Sequence, residues 1–162
     1  MAVELSATGN QIIQPGASVI FTANPVRCAC GLVYWRPNTG LVRLASPSII
    51  NNCRCIQPFN CCGMLMADYD VGFHANIQLP EGGTAGETIS LAIAIDGAVD
   101  LDSSMQTTPA AAEQPDNVGA GIIVSVPWIC RCSSLQVVNT STVPVEVINP
   151  NLTIDYSGIG RR

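Results

Sequence analysis

Eight cysteines hold most of the chemistry that this 162-residue chain could carry. They fall as three C-x-C pairs, Cys28/Cys30, Cys53/Cys55 and Cys130/Cys132, and one adjacent pair, Cys61/Cys62. Residues two apart on a strand point to one face, so each C-x-C sets two thiols side by side. Three chemistries suit such thiols. The first is disulfide formation, which an even count favours, although eight cysteines allow on the order of a hundred pairings and spacing selects none. Partners two apart sit near the upper limit of disulfide geometry, so bridges are expected between different segments. The second is a structural metal, for which C-x-C is a poorer chelate than the C-x2-C of four-cysteine zinc sites. The third is no chemistry at all, because a buried free thiol packs as a small apolar group. A nucleophilic cysteine would want a histidine beside it. The single histidine, His74, stands in an alternating stretch and reads as a residue on the polar face of a sheet.

The remaining candidates are weaker. Asp96, Asp100 and Asp102 cluster around one turn, where hard oxygens suit calcium, but no EF-hand pattern accompanies them and they read as turn and surface residues. Asp68 and Asp70 look like charges at the start of a strand rather than an acid–base pair. Gly82-Gly83-Thr84-Ala85-Gly86 lacks the lysine of a phosphate loop and opens no helix. Asn139-Thr140-Ser141 and Asn151-Leu152-Thr153 fit the glycosylation sequon, a pattern that many chains contain by chance. No cofactor, metal ligand set or catalytic residue is assigned, and an enzyme is not expected.

Elements that would position these groups are short strands. Ile12 and Ile13 precede a Pro15-Gly16 turn, and Val19 to Thr22 follows it. Gly31 to Trp35 and Leu41 to Leu44 flank the turn formers Arg36-Pro37-Asn38-Thr39-Gly40. Asp70 to Leu79 alternates with period two, setting Val71, Phe73, Ala75, Ile77 and Leu79 on one face. Thr88 to Ile95 alternates in the same way and ends at Asp96-Gly97, a strong hairpin signal. Ile122 to Val126 is mostly β-branched, as in a strand covered on both faces. Leu135 to Asn139 and Val143 to Ile154 complete about ten strands, the number expected of an antiparallel sandwich or barrel. Pro109 and Pro115 leave no room for a long helix, so Asp102 to Asn117 reads as a loop joining two strands. No linker or repeat divides the chain, and residues 1–162 read as one domain.

Composition narrows the class of function. Charged residues make up 12% of the chain, half the ~25% typical of soluble domains, while 48% are apolar and mean hydropathy is +0.32. No apolar run reaches the ~18 residues of a membrane span, so membrane insertion is not expected. All seven basic residues are arginines (Arg27, Arg36, Arg43, Arg54, Arg131, Arg161, Arg162), scattered against twelve acids. A nucleic-acid partner needs a basic stripe, and none is present. Met1 to Ser6 reads as no secretory signal. So little charge covers a monomer's surface poorly, and an oligomer that buries apolar surface is the simplest expectation.

A resemblance extends this reading. Its first stretch is Asn24-Pro25-Val26 leading into Gly31-Leu32-Val33-Tyr34. The others are Phe73-His74-Ala75-Asn76-Ile77-Gln78-Leu79-Pro80-Glu81-Gly82-Gly83-Thr84, Ile89 to Gly97, and Val137-Val138-Asn139-Thr140-Ser141 with Val147 to Leu152. Together they resemble small proteins of gut Firmicutes and their phages. That group is similar in turn to TNF-like and complement globular-head jelly rolls, including the C-terminal domain of collagen-like spore-surface proteins. The resemblance implies an all-β antiparallel jelly-roll sandwich that forms a compact homotrimer and carries no shared active site. The Gly-X-Y stalk of many such heads is missing from this sequence. That favours a free-standing trimer over a spore filament, and the implied role is a structural decoration or fibre component exposed on a phage virion or a bacterial or spore surface, with capsid or surface-layer protein as neighbour. A lectin-like trimeric module that holds a glycan or protein ligand is the alternative. Alternating faces such as Ile89, Leu91 and Ile93 are the expected lining of the threefold interface.

Overall fold

The computed structural model describes residues 2–26, 32–46, 65–127 and 132–161. Within them lie twelve strands: β1 Ala2–Ser6, β2 Asn10–Ile13, β3 Ala23–Val26, β4 Val33–Trp35, β5 Val42–Ala45, β6 Leu65–Gln78, β7 Ile89–Ile95, β8 Ala98–Val99, β9 Met105–Thr107, β10 Asp116–Pro127, β11 Cys132–Asn139 and β12 Val145–Arg161. They form two six-stranded antiparallel sheets. The first runs β10-β6-β12-β1-β3, with β2 added to β12; the second runs β4-β5-β11-β7-β8, with β9 added to β7.

Period-two patterning builds the core between them. Val71, Phe73, Ala75 and Ile77 of β6 and Leu152 and Ile154 of β12 face Ile89, Leu91 and Ile93 of β7 and Leu135 and Val137 of β11. Each fully buried aliphatic side chain contributes about 1.5–3 kcal/mol of transfer free energy. The expected all-β sandwich is therefore what forms, with twelve described strands in place of about ten.

Four expectations need correction. Val19 to Thr22 is not a strand. Its backbone N–H groups donate in turn to Val137 O, Thr39 O and Ser6 O, so the segment crosses from one sheet to the other instead of joining either. The Asp102 to Asn117 loop contains β9, preceded by a single 3-10 turn over Leu101–Ser103, and Asp116 already opens β10. β7 is covered on both faces: Ala92 and Ala94 are buried because their methyl groups lie beside the cross-strand Val138, Gln136 and Val99. β10, by contrast, is covered on one face only, and Ile123 is 62% exposed.

The turns follow their residues. Asp96 (φ 51°) and Gly97 (φ 82°) take the paired positive φ of a type I′ hairpin between β7 and β8. The β4–β5 turn is pinned where Asn38 N donates to Phe21 O and Phe21 N to Thr39 O. At its end Gly40 admits no side chain, because a Cβ there would lie 2.4 Å from Val19 O.

Candidate functional site

Seven of the eight candidate cysteines, Cys28, Cys30, Cys53, Cys55, Cys61, Cys62 and Cys130, lie outside the described residues. Cys132 opens β11, is exposed and has no disulfide partner among the described residues. It stands opposite Ala45. Several of the described strand ends that flank the other seven lie toward this end of the sandwich. Ala45 N donates to Leu32 O across β4–β5, Pro127 pairs with Met66, and Leu65 pairs with Arg161. The Tyr69 hydroxyl donates to Ala45 O, so both sheets are joined at this end. Burial, then Tyr156, then Cys132 raise the Tyr69 phenol above its ordinary pKa, and the two tyrosine rings lie 5.5 Å apart at a tilt of 58°.

The weaker candidates are spent on structure. Asp96 Oδ1 accepts from Ser134 N at 2.7 Å, and Asp100 Oδ1 from Asp102 N at 3.1 Å, so the Asp96–Asp102 cluster is tied up in turns. Asp68 Oδ1 accepts from Ser125 Oγ at 2.6 Å. His74 is exposed on β6, between Gly119 and Asn151. Asn139, the first sequon position, is 1% exposed and its amide donates to Ile13 O and Val143 O, so no glycan can be attached to it in the folded chain. Asn151 lies within β12 and its amide donates to Glu4 Oε1.

Among the described residues, two surfaces stand out. The first is the outer face of the β10-β6-β12 sheet, a shallow depression of about 430 Å³ around Gly72, Gly121, Ile123 and Thr153. Ile159, further along β12, is 55% exposed. Two glycines strip this face of side chains, so a neighbouring surface can approach its backbone. Asp70 and Asp155 stand opposite each other beside it. The expected lining, Ile89, Leu91 and Ile93, is at 0% exposure within the chain's own core and is unavailable to a partner.

The second surface was not singled out from the sequence. It is a cleft of about 350 Å³ at the β4–β5 hairpin, bounded by Tyr34, Trp35, Arg36, Thr39, Leu41 and Arg43. Register puts Tyr34 directly opposite Arg43 on the outer face, while Trp35 and Val42 turn toward the core. Tyr34 is 51% exposed, and both arginines are exposed. The Trp35 indole N–H is buried without a hydrogen-bond partner among the described residues. The signal was present: folding the hairpin about Arg36-Pro37-Asn38-Thr39-Gly40 in antiparallel register brings Tyr34 and Arg43 together.

No family model matches the chain, and no curated protein does. Solved structures do match in fold. The globular domain of zebrafish complement 1qA protein aligns over 99% of this chain and 98% of its own at 13% identity, with a TM-score of 0.60. A TNF protein, Eiger from S. frugiperda, aligns over 98% of this chain and 93% of its own at 10% identity, also at 0.60. The vertex protein P5 of PRD1 superposes more loosely, at 0.42 over 96% of this chain and 95% of its own, with 10% identity. The twelve described strands are thus arranged as a jelly roll of the complement-head and TNF type.

Proposed function

We propose that this chain is a non-enzymatic structural protein, a homotrimeric jelly roll displayed on a phage virion or a bacterial or spore surface. The observation that carries the assembly is the outer face of the β10-β6-β12 sheet, where Ile123 stands exposed beside Gly72 and Gly121. Large exposed apolar groups on a backbone cleared by glycines suit packing against symmetry-related copies around a threefold axis. A charged fraction of 12% supports the same reading, since a trimer needs less polar surface than three monomers. The implied trimer of TNF-like heads agrees with it. Disulfides among Cys28, Cys30, Cys53, Cys55, Cys61, Cys62, Cys130 and Cys132 belong to the proposal: the paired ends Leu32 with Ala45, Cys132 with Ala45 and Met66 with Pro127 border most of these cysteines, which supports bridges between connections. Sedimentation at micromolar concentration tests the assembly. A trimer mass is expected, and a stable monomer would overturn it.

The Tyr34–Arg43 cleft favours a second reading, a module that holds a glycan weakly in each subunit and gains strength through three copies. Aromatic walls with a few polar groups are what sugar rings stack on and bond to. Titration with saccharides, followed by backbone NMR, tests it; no shift at the β4–β5 hairpin would remove it.

A further inference from the structure

We infer that the β4–β5 cleft binds an acidic sugar, with a ring carboxylate held by Arg36 and Arg43 and the sugar's apolar face against Tyr34. The inference rests on the glycan-binding reading and names its ligand class.

Charge is the first argument. The chain carries twelve acids against seven arginines. Arg36 and Arg43 both line this one cleft, and neither meets a carboxylate among the described residues. In an acidic protein, two guanidiniums in one recess with no carboxylate partner among the described residues are available to an external anion. The planar guanidinium fork matches a carboxylate through two parallel N–H donors. A volume of about 350 Å³ suits a ligand of one or two sugar rings.

The apolar wall selects among anions. Tyr34 and Leu41 present exposed ring and aliphatic surface beside the two cations. A free inorganic anion would use the arginines and waste this wall. A hexuronate uses both, because its carboxylate is attached to the ring whose C–H face stacks on an aromatic side chain. The cleft also holds a fixed polar group for the hydroxyls. Thr39 Oγ1 is oriented by its bond to Arg36 O at 2.7 Å, leaving its oxygen free to accept from a sugar hydroxyl. The Trp35 N–H is a donor in want of a partner, which a small shift of its ring would present to the cleft.

Geometry keeps the site in place without ligand. Gly40 and the two Phe21 bonds fix the turn, and β4–β5 register fixes Tyr34 against Arg43. The backbone of the hairpin is set before binding, and the cost that remains is the ordering of the Arg36 and Arg43 side chains.

The test is a titration of the full-length chain, followed by NMR, with the methyl glycosides of glucuronic acid and glucose. These differ only in carboxylate against hydroxymethyl. Methoxyacetate serves as a single carboxylate without a ring. The glucuronoside is expected to shift resonances of the β4–β5 hairpin and to bind about tenfold or more tighter than both others, the ratio that one charge-assisted hydrogen-bonded pair supplies. Arg43→Gln and Tyr34→Ala are each expected to weaken it about tenfold. Arg36 and Arg43 are exposed, so Arg36→Gln and Arg43→Gln leave the thermal midpoint unchanged and report on binding rather than folding. Equal binding of glucuronoside and glucoside would overturn the acidic-sugar inference while leaving the glycan reading in place. Equal binding of methoxyacetate would show that the aromatic wall contributes nothing and would overturn it too. Absence of binding by either glycoside would remove the glycan reading itself.

Discussion

The Tyr69 hydroxyl on β6 donates a hydrogen bond to the carbonyl of Ala45 on β5, and this bond crosses between the two sheets of the sandwich. Sheets packed face to face ordinarily meet through apolar side chains alone. Here a fully buried phenol reaches across at the end where the cysteine-bearing connections begin, and the Tyr156 ring packs against it. The bond fixes how β5 sits over β6, and through β5 it fixes β4, Tyr34 and Arg43.

Tyr69→Phe keeps the ring and removes the donor. It should cost about 1–3 kcal/mol, the usual effect of leaving a buried carbonyl without its partner. Urea denaturation of the two proteins measures this. An unchanged midpoint would mean that the bond contributes nothing net.

The same residue sets an alkaline limit. Burial first, and the neighbouring Tyr156 and Cys132 after it, raise the Tyr69 phenol above its ordinary pKa. Tyr156 is raised by burial and then by Asp68. The folded state therefore holds these protons more tightly than the unfolded chain does. Their stabilising contribution is complete below the unfolded value of ~10 and disappears as pH rises through the folded values. Stability should fall above about pH 10, and less steeply in Tyr69→Phe than in the parent. Denaturation midpoints across that range, compared between the two, give the answer; parallel curves would contradict it.

Much of this architecture was legible because alternation is a local property. β6 and β7 were visible from Val71–Leu79 and Ile89–Ile95, and Asp96-Gly97 gave its turn away by residue type alone. What local pattern does not carry is which neighbour covers a face. Ile123 and Ala92 exchange the expected roles for that reason: three β-branched residues in a row suggested double cover on β10, yet only the sheet's position decides it. Val19 to Thr22 reads as a strand by composition, but its backbone partners are set by three distant segments. The β4–β5 cleft needed register as well as turn residues, since Tyr34 and Arg43 are nine positions apart and meet only once the hairpin closes.

Asn139 supplies a sharper test of internal hydrogen bonding. Its amide nitrogen donates to Ile13 O and Val143 O, each at 2.9 Å, and its Oδ1 accepts from Ser141 N at 2.9 Å. One side chain thus joins β11, β2 and the turn before β12. Asn139→Ala would strand several buried backbone groups and is expected to cost about 2–4 kcal/mol. Asn139→Asp, nearly the same shape, should be no milder, because it replaces a donor by an acceptor facing two carbonyls. Thermal unfolding of both variants decides it. Near-parental stability of Asn139→Ala would show that water replaces the lost bonds.

The cysteine proposal yields to mass spectrometry. Intact mass without reductant should be lighter than the reduced mass by two hydrogens for every bridge, and alkylation before reduction should label few thiols. Reduction should lower the thermal midpoint, since a bridge closing a loop of moderate length contributes about 2–4 kcal/mol. Eight alkylated thiols in the native, unreduced protein would leave only free cysteines.

Assembly is decided at Ile123. It is 62% exposed on the face where Gly72 and Gly121 clear the backbone, and it stands opposite Asp70 on β6. Ile123→Arg places a bulky cation into that face. Within one chain the guanidinium lies beside the Asp70 carboxylate, so the fold is preserved and the far-ultraviolet dichroism should not change. Between chains the same substitution brings three cations and three long side chains toward one axis, which no apolar contact offsets. Sedimentation should therefore move from a trimer mass to a monomer mass. Leu101, 80% exposed on the 3-10 turn between β8 and β9, provides the comparison. Leu101→Arg changes charge by the same amount away from the glycine-lined face, and it should leave the trimer intact. A trimer that survives Ile123→Arg would place the contact on another face, whereas loss of assembly in both variants would trace it to net charge instead of the β10-β6-β12 sheet.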